Sequence, residues 1–208
     1  MYTSLDPSEL SPREIYRIMT SCMVPRPIAW VSTQDARGCA NLAPFSFYTL
    51  VSTVPPLVAL SISAVQEQDK DTAANILATK EFVINFVTVD LMDRMHASSA
   101  TFPAGIDEAA ALGIEMMPSQ TVHPYSVADS PVHLECVLAE TLEFGRYKTR
   151  LIVGEVVNFH LSDQCMADGK IDGTLLNPLG RLGGPWYAGL QPRMQASAAD
   201  KPQAPKAT

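Results

Sequence analysis

Val132-His133-Leu134-Glu135-Cys136-Val137-Leu138, running on to Phe144, is followed by Gly145-Arg146-Tyr147-Lys148 and then by Arg150-Leu151-Ile152-Val153, running on to Leu161. Apolar and β-branched residues dominate both long runs, and a short Gly-containing break separates them. The pattern predicts two long strands joined as a hairpin. Upstream, Ile28 to Thr33 reads as a strand that ends in the turn signal Gln34-Asp35-Ala36-Arg37-Gly38. Asn41 to Phe45 and Phe47 to Ser52 are extended around Pro44, and Pro55-Pro56 forbids helix before a further strand, Leu57 to Ser63. Phe82 to Val87 is a short buried strand. Short strands at this spacing, with helices inserted, predict a mainly β fold, an antiparallel barrel or sandwich.

The helices carry their own signals. Ser11-Pro12-Arg13-Glu14 has the form of a capping box with Pro at the first helical position. Ile15, Ile18, Met19 and Cys22 then recur at helical spacing and make one apolar face. Pro25 and Pro27 end that helix. Asp71 to Thr79 is helical, with Asp71 expected at the N-cap. Asp90 to Ala97 and, less distinctly, Ala104 to Leu112 also read as helix. From about Gln195 the chain is mostly Ala, Pro, Gln and Lys with almost nothing to bury. Residues 193–208 are therefore expected to form a disordered tail, and 1–192 a single domain.

Composition limits the function classes. The chain has 208 residues, 47% of them hydrophobic, and a formal charge of −7. An acidic balance gives no support to a nucleic-acid surface, though one local pocket can still be positive. No apolar run approaches the roughly 18 residues of a membrane span, and a secretory signal is not expected. Cys22, Cys39, Cys136 and Cys165 match no zinc or redox spacing, which fits reduced thiols in a cytoplasmic protein.

Common catalytic motifs are missing: no GxSxG, HExxH, Walker loop or GxGxxG. Gly180-Arg181-Leu182-Gly183-Gly184 lies too late for a Rossmann fingerprint. His96, His123, His133 and His160 stand apart from one another, so no metal site is expected, and His133, alternating with Leu134, suits a solvent-facing position. Three segments stand out instead. Pro25 to Thr33 places an Arg, a large aromatic (Trp30) and two hydroxyls (Ser32, Thr33) on one strand. Asn41 to Tyr48 mixes small residues, hydroxyls and aromatics. Lys70-Asp71-Thr72 opens a helix, where a cation, a hydroxyl and free amides make an anion site. Each alone is more readily a structural feature. Together they offer an apolar wall, polar edge donors and a phosphate anchor, which is what a flavin mononucleotide needs.

These segments, with Pro55-Pro56, the run Ser130 to Cys136, Gly154-Glu155-Val156-Val157, and Pro178 to Gly184 followed by Tyr187, resemble the flavin reductase-like, FMN-binding split-barrel family. Flavoredoxin and the flavin-supplying components of two-component monooxygenases belong to it. The likeness covers roughly Ile15 to Leu190 in the same order, and the ordered set rather than any one motif is specific. It implies a Greek-key split barrel that forms a homodimer and holds FMN near the subunit interface. By position, it implies that Trp30, Val31, Ser32 and Thr33 lie along the flavin, with Ala43, Phe45, Ser46 and Phe47 also in contact. It further implies that Ser61, Ile62 and Ser63 line the next strand of the site, and that Lys70, Asp71 and Thr72 meet the phosphate. Arg26 and Arg181 stay open between ligand and interface.

The implied activity is hydride transfer from NAD(P)H to FMN. It needs no protein acid, base or nucleophile, because the cofactor carries the chemistry. Reduced flavin or electrons would pass to a partner monooxygenase or redox protein. A flavoredoxin-like electron carrier without a nicotinamide site, and a non-catalytic flavin-binding protein, are the competing readings. The stretch from His96 to Tyr125 either covers the flavin or forms a substrate wall.

Overall fold

The computed structural model describes residues 1–64, 68–103, 105–192 and 194. Apart from Met194, the tail expected over 193–208 lies outside the described residues. In chain order the elements are α1 (Pro12–Cys22), β1 (Arg26–Pro27), β2 (Ala29–Gln34), β3 (Ala40–Phe45), β4 (Tyr48–Thr53), β5 (Pro56–Ile62), α2 (Asp71–Thr79) and β6 (Glu81–Phe86). Next come α3 (Met92–Ala97), α4 (Glu108–Leu112), β7 (Met116–Met117), β8 (Ser126–Val127), β9 (Val132–Phe144) and β10 (Thr149–Leu161). The chain continues through β11 (Met166–Ala167), β12 (Lys170–Ile171), α5 (Gly173–Leu176), β13 (Gly180–Arg181) and β14 (Tyr187–Ala188). Among the described residues, no helix is long and apolar enough to cross a membrane.

The expected hairpin is the centre of the fold. β9 and β10 pair antiparallel from Phe144↔Thr149 to Val132↔Leu161, with bulges at Val153/Gly154 and Val156/Asn158. The main sheet has seven strands in the order β3-β2-β6-β9-β10-β5-β4. Its two edges are β3 and β4, which are consecutive in sequence and joined only by Ser46 and Phe47. A two-residue link lets the strand ends stand at most about 10 Å apart. The edges must therefore approach, and the sheet rolls into a barrel split along that seam. The Ser61 amide donating to the Phe47 carbonyl at 2.8 Å stitches the link to β5.

Two cores follow from this closure. Ala29, Val31, Leu60, Phe82, Ile84 and Ile152 fill the barrel, with Ile76 of α2 packed on them. Ile28, Trp30, Leu42, Leu91, Met95 and Ala109 form a second core outside it, under α3 and α4. β2 is thus covered on both faces. Gly154, beside a β10 bulge, leaves room for the Phe82 ring: a Cβ there would overlap Phe82 Cζ and stand 2.8 Å from Cε1.

Several local expectations meet the structure with differences. The capping box on α1 is complete: Ser11 Oγ accepts from the Glu14 amide, and Glu14 accepts from the Ser11 amide at 2.9 Å. The apolar face of α1 exists but is uncovered, since Thr20 is the helix's only buried residue. The N-cap of α2 is Lys70, not Asp71. Lys70 alone has extended backbone, while Asp71 begins the helix, where its charge suits the positive end of the dipole. His133 does not face solvent. It is 5% exposed and its Nε2 lies 2.8 Å from the Val127 carbonyl, because residues before β9 fold back over that face. The four cysteines are free, two buried (Cys136, Cys165) and two at least partly exposed (Cys22, Cys39).

Candidate functional site

The seam between β3 and β4 is where the surface becomes concave. One side of it opens into a cavity of about 680 Å³ between α1 and the strands, lined by Met19, Met23, Arg26, Phe47, Tyr48 and Ser61, among others. Its walls are mainly apolar, with hydroxyls from Ser46, Thr49 and Ser61 at the strand side. Burial pushes the Tyr48 phenol well above its ordinary range, so it stays a neutral hydroxyl. A second cavity, of about 180 Å³, lies on the other side of Ser46 and is bounded by Phe45, Met95, His96, Arg181 and Tyr187. Ser46 and Tyr16 line both.

Arg26 stands at the junction. It is 8% exposed and spends its donors on the carbonyls of Thr20 (2.6 Å), Met23 (2.9 Å) and Leu182 (3.1 Å), and on Ser46 Oγ (3.4 Å). It therefore ties the end of α1 to the seam and to the stretch after β13. Its guanidinium lies 5.9 Å from the Phe47 ring, which in turn meets Tyr16 at 6.3 Å. On the far side, Lys70 at the start of α2 holds its ammonium 5.7 Å from the Phe45 ring. No carboxylate pairs with Lys70 among the described residues. The neighbouring Asp69 is occupied by Arg150 at 2.6 Å.

The residues singled out from sequence divide accordingly. Phe45, Ser46, Phe47, Ser61 and Lys70 form a strip along the seam. Ala43 is half-buried on the barrel side of β3. The structure does not bring the β2 side chains to either cavity. Trp30 is fully buried in the outer core and donates to Ser98 Oγ at 2.9 Å, and Val31 is inside the barrel. Ser32 donates to the Tyr125 carbonyl, and Thr33 donates to Asn41 while accepting from Asn75. Ile62 is core, and Ser63 is exposed, 3.4 Å from the Thr149 hydroxyl. Asp71 is exposed, and Thr72 is buried and donates to Asn41 Oδ1 at 2.7 Å.

The sequence reading missed the helix wall of the large cavity (Tyr16, Met19, Met23) and the cluster of His96, Arg181 and Tyr187. The uncovered face of α1 was visible as a pattern, but its destination was not. The fit to a flavin rests on the strip itself. Lys70 stands over the Phe45 ring, and the next two residues, Ser46 and Phe47, line the apolar cleft, so a cation, a hydroxyl and an aromatic surface of the kinds that a flavin's phosphate, carbonyl edge and ring need lie near one another.

Similarity to other proteins agrees with this geometry. The family described as flavin reductase like domain matches residues 19–177. An uncharacterised protein of Deinococcus radiodurans is 37% identical over 191 residues, which is 88% of this chain and 83% of that protein. The crystal structure of nitrilotriacetate monooxygenase component B from Bacillus cereus superposes with a TM-score of 0.91 at 26% identity, over 94% of this chain and 99% of that one. The 2-nitrobenzoate 2-nitroreductase of Pseudomonas fluorescens superposes with a TM-score of 0.87 at 29% identity, over 98% and 100% of the two chains. With a split barrel and a family match across most of its length, this chain belongs to the flavin reductase-like domain family.

Proposed function

We propose that this protein binds FMN along the Lys70–Phe45–Ser46–Phe47 strip and acts as an NAD(P)H-dependent flavin reductase, passing reduced flavin or electrons to a partner monooxygenase or redox protein. The observation that carries the reading is that the Ser46–Phe47 end of that strip lines the 680 Å³ apolar cleft while Lys70 stands over Phe45 at the other end. Lys70 and the first amides of α2 hold the phosphate. Phe45 and Phe47 shield the ring, while Ser46, Ser61 and the seam backbone meet its polar edge. When bound, FMN supplies the hydride-accepting chemistry, and the protein orients the two rings and excludes water.

None of the described residues from 96 to 125 lines the large cleft, while His96 and Ser99 line the smaller one. They fold over β3 and β9 instead, through Glu108 with Asn41 and Glu135 with Gln120 and Thr121. An open cleft favours exchange of flavin and nicotinamide over a sealed electron carrier. The likeness to a monooxygenase component supports the partner oxygenase. We also infer a homodimer. Met19 and Met23 at the cleft, and Leu50, Val51 and Val54 at and beyond β4, are large apolar side chains left exposed, which an interaction surface would cover.

The test is anaerobic mixing of FMN-loaded protein with NADH or NADPH while the flavin's visible absorption is followed. Bleaching much faster than for free FMN supports the reductase. FMN that binds and bleaches only with dithionite makes the protein an electron carrier. Light scattering at the mass of one chain would remove the dimer.

A further inference from the structure

Arg26 and Arg181 are directly opposed partners in the β1–β13 ladder. Like charges in that position repel, and among the described residues neither has a carboxylate within ion-pair distance. Arg26 is largely satisfied by backbone carbonyls, which accept its hydrogen bonds without cancelling its charge. Arg181 donates to the Tyr187 hydroxyl and, at 2.8 Å, to the Gly184 carbonyl, with its guanidinium 4.5 Å from the Tyr187 ring centre. The Tyr187 hydroxyl also meets His96 Nδ1 at 2.9 Å.

This cluster forms one end of the 180 Å³ cavity, whose other walls are the apolar Ile28, Pro44, Phe45 and Met95 and the hydroxyl-bearing Tyr16, Ser46 and Ser99. Among the described residues no acidic one lines the cavity, although the chain carries a formal charge of −7. The volume is below the roughly 300 Å³ at which drug-sized pockets begin. It has room for one small ring but not for a nucleotide.

We propose that this cavity binds a small aromatic monocarboxylate of about the size of benzoate. The carboxylate meets the Arg181 guanidinium and the Tyr187 hydroxyl, and the ring lies between Phe45 and Met95. An anion there balances the charge of Arg181, the arginine of the pair that lines the cavity, and the guanidinium fork suits a planar carboxylate. The cavity shares Phe45 and Ser46 with the flavin strip, so the bound acid stands beside the flavin; that neighbourhood alone rests on the flavin reading.

The experiment is calorimetric titration of the flavin-free full chain with benzoate and with methyl benzoate, a neutral analogue. Saturable one-to-one binding of benzoate, with methyl benzoate bound at least about tenfold more weakly, is expected. Arg181→Met should weaken benzoate by about 10–100-fold. Equal binding of ester and acid, or no saturable benzoate binding, overturns the site, whether or not the variant folds. An FMN titration run in parallel separates the two proposals. Loss of FMN binding with benzoate intact removes the flavin reading and leaves this site. With both ligands binding, a change in the flavin's visible spectrum on adding benzoate is expected, and an unchanged spectrum places the acid away from this cavity.

Discussion

The Thr72 hydroxyl donates to the Asn41 side-chain oxygen at 2.7 Å, and both residues are buried. Asn41 also donates to Glu108 Oε1 at 2.7 Å, and the Leu42 amide donates to Glu108 Oε2 at 2.9 Å. One network therefore joins α2, β3 and α4 behind the seam. Thr72→Val keeps the shape and removes the donor, so it should cost about 1 kcal/mol in urea unfolding. The ratio of FMN to riboflavin affinity should not change. A collapse of that ratio would mean that the hydroxyl serves the phosphate instead.

Gly154 and Phe82 make a second internal constraint. Phe82 is fully buried, so its ring has nowhere to go if a methyl group is placed on residue 154. Gly154→Ala should destabilise by about 1–3 kcal/mol. Adding Phe82→Leu to that variant should recover part of the loss, although Phe82→Leu alone is destabilising. Additive losses in the double-mutant cycle would show that the ring and the glycine do not meet.

What the sequence made legible is local. Strand positions, the Ser11–Glu14 box and the 145–148 turn depend on neighbours along the chain, and the structure has them. The fate of each face depends on non-local packing. Alternation in β9 suggested that His133 faces out, but Ser126 and Val127 fold back over it. Trp30 sits on a strand covered on both sides, the outer cover coming from α3 and α4. Opposition of Arg26 to Arg181 requires the far end of the chain to return to β1, and no periodicity carries that information. The seam residues were legible because the extended run is interrupted there, although β3 continues through Pro44 and the break falls at Ser46 and Phe47, where the cleft opens.

Glu135 governs acid stability. Its carboxylate is fully buried and accepts the Gln120 and Thr121 amides at 2.8 and 2.6 Å and His160 Nε2 at 2.5 Å. Burial alone would raise its pKa, but these bonds outweigh it and hold the carboxyl at about 2, against an ordinary 4.5. A folded value below the unfolded one means stability that is present above about 4.5 and lost as pH falls towards about 2. His133 acts in the same direction. Burial lowers its pKa, with the Val127 carbonyl opposing, so its contribution is full above 6.5 and fades below. Unfolding free energy should therefore fall from neutral pH to pH 3. Glu135→Gln should lose about 2–3 kcal/mol at pH 7 and show a flatter acid limb. An acid limb as steep as the wild type's would assign the titration to other carboxylates.

Lys70 separates the phosphate from the ring. Its ammonium has no acidic partner among the described residues, sits at the head of α2 and touches Phe45 of the strip. A charge-assisted hydrogen bond contributes about 1.5–3 kcal/mol, so Lys70→Ala should weaken FMN by roughly 10–100-fold. Riboflavin has the same ring and no phosphate, so its affinity should hardly change. Lys70 is exposed, so its replacement should leave the fold intact, and an unchanged thermal midpoint for the flavin-free variant checks that directly. Raising the salt should narrow the gap between FMN and riboflavin in the wild type and leave it small in the variant. Equal weakening of both ligands would place the ammonium against the ring through Phe45 and move the phosphate elsewhere along the seam. The arginine at its other end, Arg26, would then be the cation to replace next.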